Sequence, residues 1–227
     1  MGLWAVKANG HGIGLPRHGS DFSQNSGQNM QLILASTSRY RKNLLKRLGV
    51  PFSCITPDVD ETIVAGESAS ARARRLAHLK AAFVLPDQIG PLTLVIGSDQ
   101  VACLDDQILR KPANAARAAA QLTQCSGKQI RFWTGLSLLS STGQHWHELV
   151  HSDVALRHLT PEEIKHYIEL DHPLDCAGSF KWESLGISLF ERLATEDPTA
   201  LEGLPLIKLC GLLRAAGLSV PLSSEPR

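Results

Sequence analysis

Carboxylates and cations are spaced along this chain in a way that could handle polyphosphate. Asp99 stands in Gly97-Ser98-Asp99-Gln100, directly behind an apolar run at 92–96. Glu61 lies in the acidic stretch Pro57-Asp58-Val59-Asp60-Glu61-Thr62, behind a short apolar run at 52–55. If both runs are strands, Asp99 lies just past the end of one and Glu61 in the loop after the other. Ligand sites in α/β sheets gather at such carboxyl ends. Two carboxylates brought to one end can hold Mg²⁺ or Mn²⁺ and activate a water. Arg41, Lys80 and Lys111 are the basic complement. Acid for a metal together with several cations for phosphates is what metal-assisted attack on a polyphosphate requires. Taken singly, each residue has a plainer reading: Asp99 capping a turn, Glu61 solvated, the lysines on the surface.

The elements that must position these groups are legible around them. Residues 32–35 read as a buried strand, Ser36-Thr37-Ser38 as a hydroxyl-rich turn, and the following residues as a helix with Ser38 at its N-cap and Leu44, Leu45 and Leu48 at helical spacing. Gly49 and Pro51 end it. Arg39, Arg41 and Lys42 crowd its first turn, where cations oppose the helix dipole. An anion held by them and by the free amides would account for that placement, and an ordinary solvated basic face would account for it equally. Residues 68–84 form a long helix carrying Leu76, Leu79 and Lys80. Residues 108–112 are extended and carry Lys111, and 113–123 are helical. Residues 129–139 and 145–156 form a hairpin about Ser141-Thr142-Gly143. Thr160-Pro161-Glu162-Glu163 starts a capped helix, residues 175–181 make a Gly-containing loop, 187–190 a strand and 205–215 the last helix. Interleaved strands and helices with one long hairpin argue an α/β fold, a mixed central sheet flanked by helices.

One motif misleads. His147-Glu148-Leu149-Val150-His151 matches the HExxH pattern of zinc proteases. That chemistry needs a helix, which sets i and i+4 on one face. Here the residues sit in the second arm of the hairpin. At about 3.3 Å per residue a strand separates the two histidines by roughly 13 Å, too far to share a metal.

Composition sets the outer bounds. The chain has 227 residues, 43% hydrophobic and 20% charged, with a net charge of +1. No global field favours nucleic acid or an anionic membrane, and no apolar run spans a bilayer. Five widely spaced cysteines without a CxxC pair suit reduced thiols in the cytoplasm. Residues 1–29 are rich in Gly, Asn, Ser and His and lack periodicity. They read as a disordered extension, either an expression remnant or an over-extended start, with Met30 as the natural initiator of a domain over 30–227.

Seven motifs now stand in order: Leu-Ile-Leu-Ala-Ser-x-Ser at 32–38, Asp60-Glu61-Thr62, Leu76-Ala77-x-x-Lys80-Ala81, Ile96-Gly97-Ser98-Asp99-Gln100, Lys111-Pro112, Cys176-Ala177-Gly178-Ser179-Phe180-Lys181 and Gly203-Leu204-Pro205-Leu206. In this order they resemble the Maf-like nucleotide pyrophosphatases over roughly 30–217. The resemblance implies a two-lobed, ITPase-like α/β fold around a cleft. It implies hydrolysis of a nucleoside triphosphate between the α- and β-phosphates with Mg²⁺ or Mn²⁺. Asp99 matches the family's proton acceptor, and Ser36, Arg41, Glu61, Lys80 and Lys111 match its phosphate- and metal-handling positions, Glu61 and Asp99 for the metal. The Gly-Ser-Asp-Gln and Gly-Ser-Phe-Lys forms are similar to the 7-methyl-GTP branch, whose specificity positions fall on Tyr40, Gln100 and Lys181. The family's usual Ser-Pro-Arg-Arg is Ser38-Arg39-Tyr40-Arg41 here, and Tyr40 replaces the branch's Trp while keeping an aromatic face for a cationic purine. The rival readings are a pyrophosphatase for other modified nucleotides and a nucleotide-binding regulator of cell division. The sequence leaves a homodimer open.

Overall fold

A computed structural model describes residues 30–85 and 92–221. The expected extension over 1–29 lies outside the described residues.

The centre is a seven-stranded mixed sheet. Strand β1 (Gln31–Ala35) runs parallel to β2 (Ser53–Ile55) and to β3 (Thr93–Leu104). The rest is antiparallel: β4 (Gln107–Leu109) and β5 (Gln129–Ser140) flank β3, β6 (His145–Leu156) pairs with β5, and β7 (Phe190–Thr195) closes the edge. The helices are α1 (Arg39–Lys46), α2 (Ala69–Val84), α3 (Ala115–Cys125), α4 (Pro161–Asp171) and α5 (Leu206–Ala215). The first four start at an N-cap residue whose side chain caps them. Ser38 Oγ accepts from Arg41 N–H, and Ser68 Oγ from Ala71 N–H. Thr160 and Glu163 cap one another reciprocally, closing two otherwise orphaned amides. Asn114 caps α3, which therefore starts two residues later than the composition indicates.

On one face the long strands β3 and β5 run through two cores, and on the other Val95 and Leu139 pack with Ala81 and Val84 of α2. Their outer halves, with Leu94, Ile96, Leu136 and Leu138, pack against α1 and α5 through Leu44, Leu45, Leu209 and Leu213. Their other halves, with Ala102, Leu104, Ile130 and Phe132, pack against α3 and α4 through Leu122, Ile164 and Tyr167. Ser98, Asp99, Gln100 and Thr134 lie where one core gives way to the other. The two lobes therefore share a sheet and meet at a polar seam.

Helix α2 covers the opposite face of this seam at very short range. A β-carbon on Gly97 would collide with the carbonyl oxygen of Ala77 and come 2.8 Å from the nitrogen of Ala81, and one on Gly135 would collide with the carbonyl oxygen of Ala73. Two strand glycines facing Ala73, Ala77 and Ala81 let helix backbone rest on sheet backbone. Asp99 is two residues from Gly97 and directly opposite Gly135, so its side chain shares their face and meets α2 at Lys80.

Two expectations are corrected. Asp99 lies inside β3, a single strand of 12 residues, and not beyond a strand end. The polar Ser98-Asp99-Gln100 breaks the apolar run without breaking the ladder, because those side chains find partners at the seam. The strand expected at 187–190 is a 3-10 turn, Leu185–Leu189, and β7 begins only at Phe190. No residue of β7 is fully buried, so it has no alternation to read. The hairpin is as expected, and His147 and His151 stand on β6 opposite Ser137 and Trp133. No helix among the described residues is long and apolar enough to cross a membrane.

Candidate active site

A cleft of about 1240 Å³ opens at the seam. Its floor is an ion triad. Lys80 Nζ lies 2.6 Å from Asp99 Oδ1 and 2.7 Å from Glu61 Oε1. Lys80 and Asp99 are each only 8% exposed, whereas the Glu61 side chain is about half open, at 54%. Burial pushes the Glu61 carboxyl up, but Lys80, Arg41 and Arg72 outweigh it and hold the group below its ordinary value. The loop that carries Glu61 is tied to α2, since Arg72 Nη2 donates to the Glu61 carbonyl and Arg75 Nη2 to that of Thr62. Glu67 holds Arg75 through two bonds of 2.6 and 2.7 Å.

The turn after β1 forms a second wall. Ser36 Oγ accepts from Ser38 N–H, and Ser38 Oγ caps α1. These hydroxyls occupy two of the amides at the helix start, and residues 36–41 line the cleft, Arg41 among them, a setting for anionic oxygens. Arg41 Nε donates to Gly203 O at 2.8 Å. Its guanidinium is pulled down by burial and supported by the charges of Asp99 and Glu61. Ser98 Oγ lies 2.7 Å from the same carbonyl. Gly203 (φ 90°) makes this close approach feasible, because a β-carbon there would press to 3.0 Å from Arg41 Nε. Lys111 reaches the cleft from the exposed turn after β4.

Of the residues singled out from sequence, Ser36, Tyr40, Arg41, Glu61, Lys80, Asp99, Gln100 and Lys111 all line this one cleft. Lys181 does not. Gly178 (φ 79°) and Ser179 (φ 61°) turn the chain sharply, which sends Phe180 into the core and leaves Lys181 Nζ bonded to Asp171 O at 2.5 Å. Gln100 lines the cleft, but its amide is engaged elsewhere: Nε2 donates to Ala200 O at 2.7 Å and Leu201 O at 3.1 Å. Its donors hold the 3-10 turn Pro198–Glu202 and are not free for a base edge. Tyr40 already has the Arg39 guanidinium 4.8 Å from its ring centre, so one aromatic face is taken. Its hydroxyl meets Asp175 Oδ2 at 3.3 Å, and burial pushes it up to about 12.

Sequence reasoning missed Arg72, Trp182, Glu183 and Glu202, all in the cleft. Arg72 had a signal: with Leu76 and Lys80 it falls at i, i+4 and i+8, one face of α2. Its Nη1 is buried without a partner. The others carry no periodic or motif signal.

A family model described as Maf-like protein matches residues 31–216. A 7-methyl-GTP pyrophosphatase of Pseudoalteromonas atlantica is 52% identical over 192 residues, covering 84% of this chain and 97% of that protein. One from Xanthomonas oryzae pv. oryzae is 53% identical over 191 residues, covering 84% and 99%. Among solved structures, the Staphylococcus aureus Ham1 protein superimposes with a TM-score of 0.42 at 12% identity, over 82% of this chain and 99% of that one.

Proposed function

Because the chain belongs to the Maf-like protein family, we propose that it is a nucleoside triphosphate pyrophosphatase that hydrolyses 7-methyl-GTP to 7-methyl-GMP and pyrophosphate. The observation that carries this reading is the convergence of Asp99 and Glu61 on Lys80 at the floor of a cleft walled by the start of α1. Asp99 is the general base that takes the proton of the attacking water. Lys80 fixes the orientation of both carboxylates. Arg41, Lys111 and the amides behind Ser36 receive the phosphate oxygens.

The donor set fits a divalent cation. Lys80 engages one oxygen of each carboxylate, leaving the second oxygen of each. Among the described residues no third His, Cys, Asp or Glu joins them in a metal-binding group. That suits an ion such as Mg²⁺ or Mn²⁺, which takes one or two carboxylates and fills its shell with water and substrate phosphate. Glu61 and Asp99 would hold it, and when bound it would neutralise phosphate charge and make water more acidic. We place the activity in the cytoplasm, where the five unpaired cysteines stay reduced.

The test is catalytic efficiency for 7-methyl-GTP against GTP, followed by pyrophosphate release with Mg²⁺ present. A ratio of about tenfold or more is expected, within the range that polar readout of a base supports. A ratio near one would move the substrate to other modified nucleotides. Binding without turnover of any nucleotide would make the protein a regulator.

A further inference from the structure

We propose that Arg72 binds the leaving pyrophosphate, an inference that rests on the pyrophosphatase reading above and deepens it. Arg72 lies on the face of α2 that also carries Leu76 and Lys80, and all three line the cleft. Its α-carbon is about 12 Å from that of Lys80 along the helix axis. The two side chains nevertheless converge on one residue. Lys80 Nζ holds the Glu61 carboxylate at 2.7 Å, and Arg72 Nη2 holds the Glu61 carbonyl. Arg72 therefore ends next to the triad at the floor without belonging to it.

Its guanidinium has a donor to spare. Nη1 is buried and, among the described residues, has no hydrogen-bond partner. Glu61 and Glu67 both feel the charge of Arg72, yet each carboxylate is bonded to another cation. Glu61 is held by Lys80, and Glu67 by Arg75 through two bonds of 2.6 and 2.7 Å. A charged N–H kept from water without an acceptor costs more than a neutral one. An anion with several oxygens removes that cost, and phosphate matches the planar fork of a guanidinium. Arg72 is only half-buried and lines the cleft, so a small turn of its guanidinium brings Nη1 to a ligand there.

The place of Arg72 decides which phosphate it meets. At the floor Lys80 sets one positive charge against the two carboxylates Glu61 and Asp99, so the triad itself does not attract phosphate. The phosphorus under attack must lie beside Asp99. Arg41 is the cation that Asp99 supports most, ahead of Glu61, and it serves that phosphate. Arg72 acts on Glu61 and Glu67, further along the cleft wall, and serves the phosphates beyond. In the reaction the water oxygen bonds to the α-phosphorus and its proton passes to Asp99. The bond from the α-phosphorus to the bridging oxygen breaks, and its electron pair stays with the pyrophosphate. Negative charge thus grows on the leaving group, where a guanidinium stabilises it.

Arg72→Met removes the charge, and Arg72→Lys keeps the charge without the fork. Both replace one good helix former by another, and a melting temperature within a few degrees of wild type confirms the fold. The two products, inorganic pyrophosphate and 7-methyl-GMP, are used as separate inhibitors at saturating Mg²⁺. Arg72→Met is expected to weaken inhibition by pyrophosphate about tenfold or more, the scale of a lost charge-assisted hydrogen bond, with inhibition by 7-methyl-GMP changed by less than about threefold. Arg72→Lys should lose less on pyrophosphate. Independently of turnover, pyrophosphate should raise the melting temperature of wild type more than that of Arg72→Met. Equal weakening of both products, or pyrophosphate affinity unchanged in both variants, would overturn the assignment. So would a wild type active on 7-methyl-GTP that pyrophosphate neither inhibits nor stabilises. A loss that disappears at saturating Mg²⁺ would also overturn it, because Arg72 would then only hold the loop that carries Glu61. A wild type that releases pyrophosphate from no nucleotide would remove the pyrophosphatase reading itself and this inference with it.

Discussion

Asp99→Asn is expected to lower kcat by a factor on the order of 10² or more while leaving the protein folded, as loss of a general base does. The substitution is nearly isosteric, and the new amide oxygen can still accept from Lys80, which keeps its bond to Glu61 at 2.7 Å. The amide cannot take a proton from water. Because Asp99 is also a proposed metal position, kcat should be measured against Mg²⁺ concentration. A rate that stays low at saturating metal identifies the lost base. A rate that recovers fully would make Asp99 a metal ligand only, and near-normal activity throughout would place the base elsewhere.

Gly97→Ala is expected to produce the largest loss of stability from a single methyl group. The added carbon meets backbone atoms of Ala77 and Ala81, which cannot rotate aside as a side chain could. Helix α2 must lift from β3. Overpacking of this kind costs typically 1–3 kcal/mol, and backbone opposition argues for the upper end. In a protein of this size each kcal/mol corresponds to about 2–4 °C, so melting should fall by several degrees. Lifting α2 also draws Lys80 from Asp99, so the folded fraction should be less active. Gly211→Ala is the control. Gly211 lies within α5 with nothing inside 4 Å of its added carbon, and Ala is the better helix former by up to about 1 kcal/mol. The two substitutions should therefore move melting in opposite directions. Equal effects would show that the close approach of α2 is unimportant.

The parts of the fold with local rules were legible in the sequence. The hairpin of β5 and β6 followed from two apolar runs and a Gly turn, the start of α1 from Ser38, and the start of α4 from Thr160 and Glu163. The cleft was largely legible too, because eight of the nine residues singled out from the sequence line it. What was not legible depends on partners distant in the chain. Asp99 could not be recognised as mid-strand, since its burial is made possible by Lys80 on α2. The direction of Lys181 follows from backbone turned to positive φ at Gly178 and Ser179, and a serine gives no sign of that conformation. Gln100 bonds carbonyls a hundred residues away. Glu183 and Glu202 have no spacing that betrays them, and two separate turns bring them to the cleft.

The central claim is that the chain cuts a methylated guanine triphosphate between its α- and β-phosphates. Separating the products of 7-methyl-GTP after incubation with the protein and Mg²⁺ tests it most directly. The expected products are 7-methyl-GMP and pyrophosphate in equal amounts. Release of orthophosphate with 7-methyl-GDP, or recovery of the triphosphate intact, would contradict it.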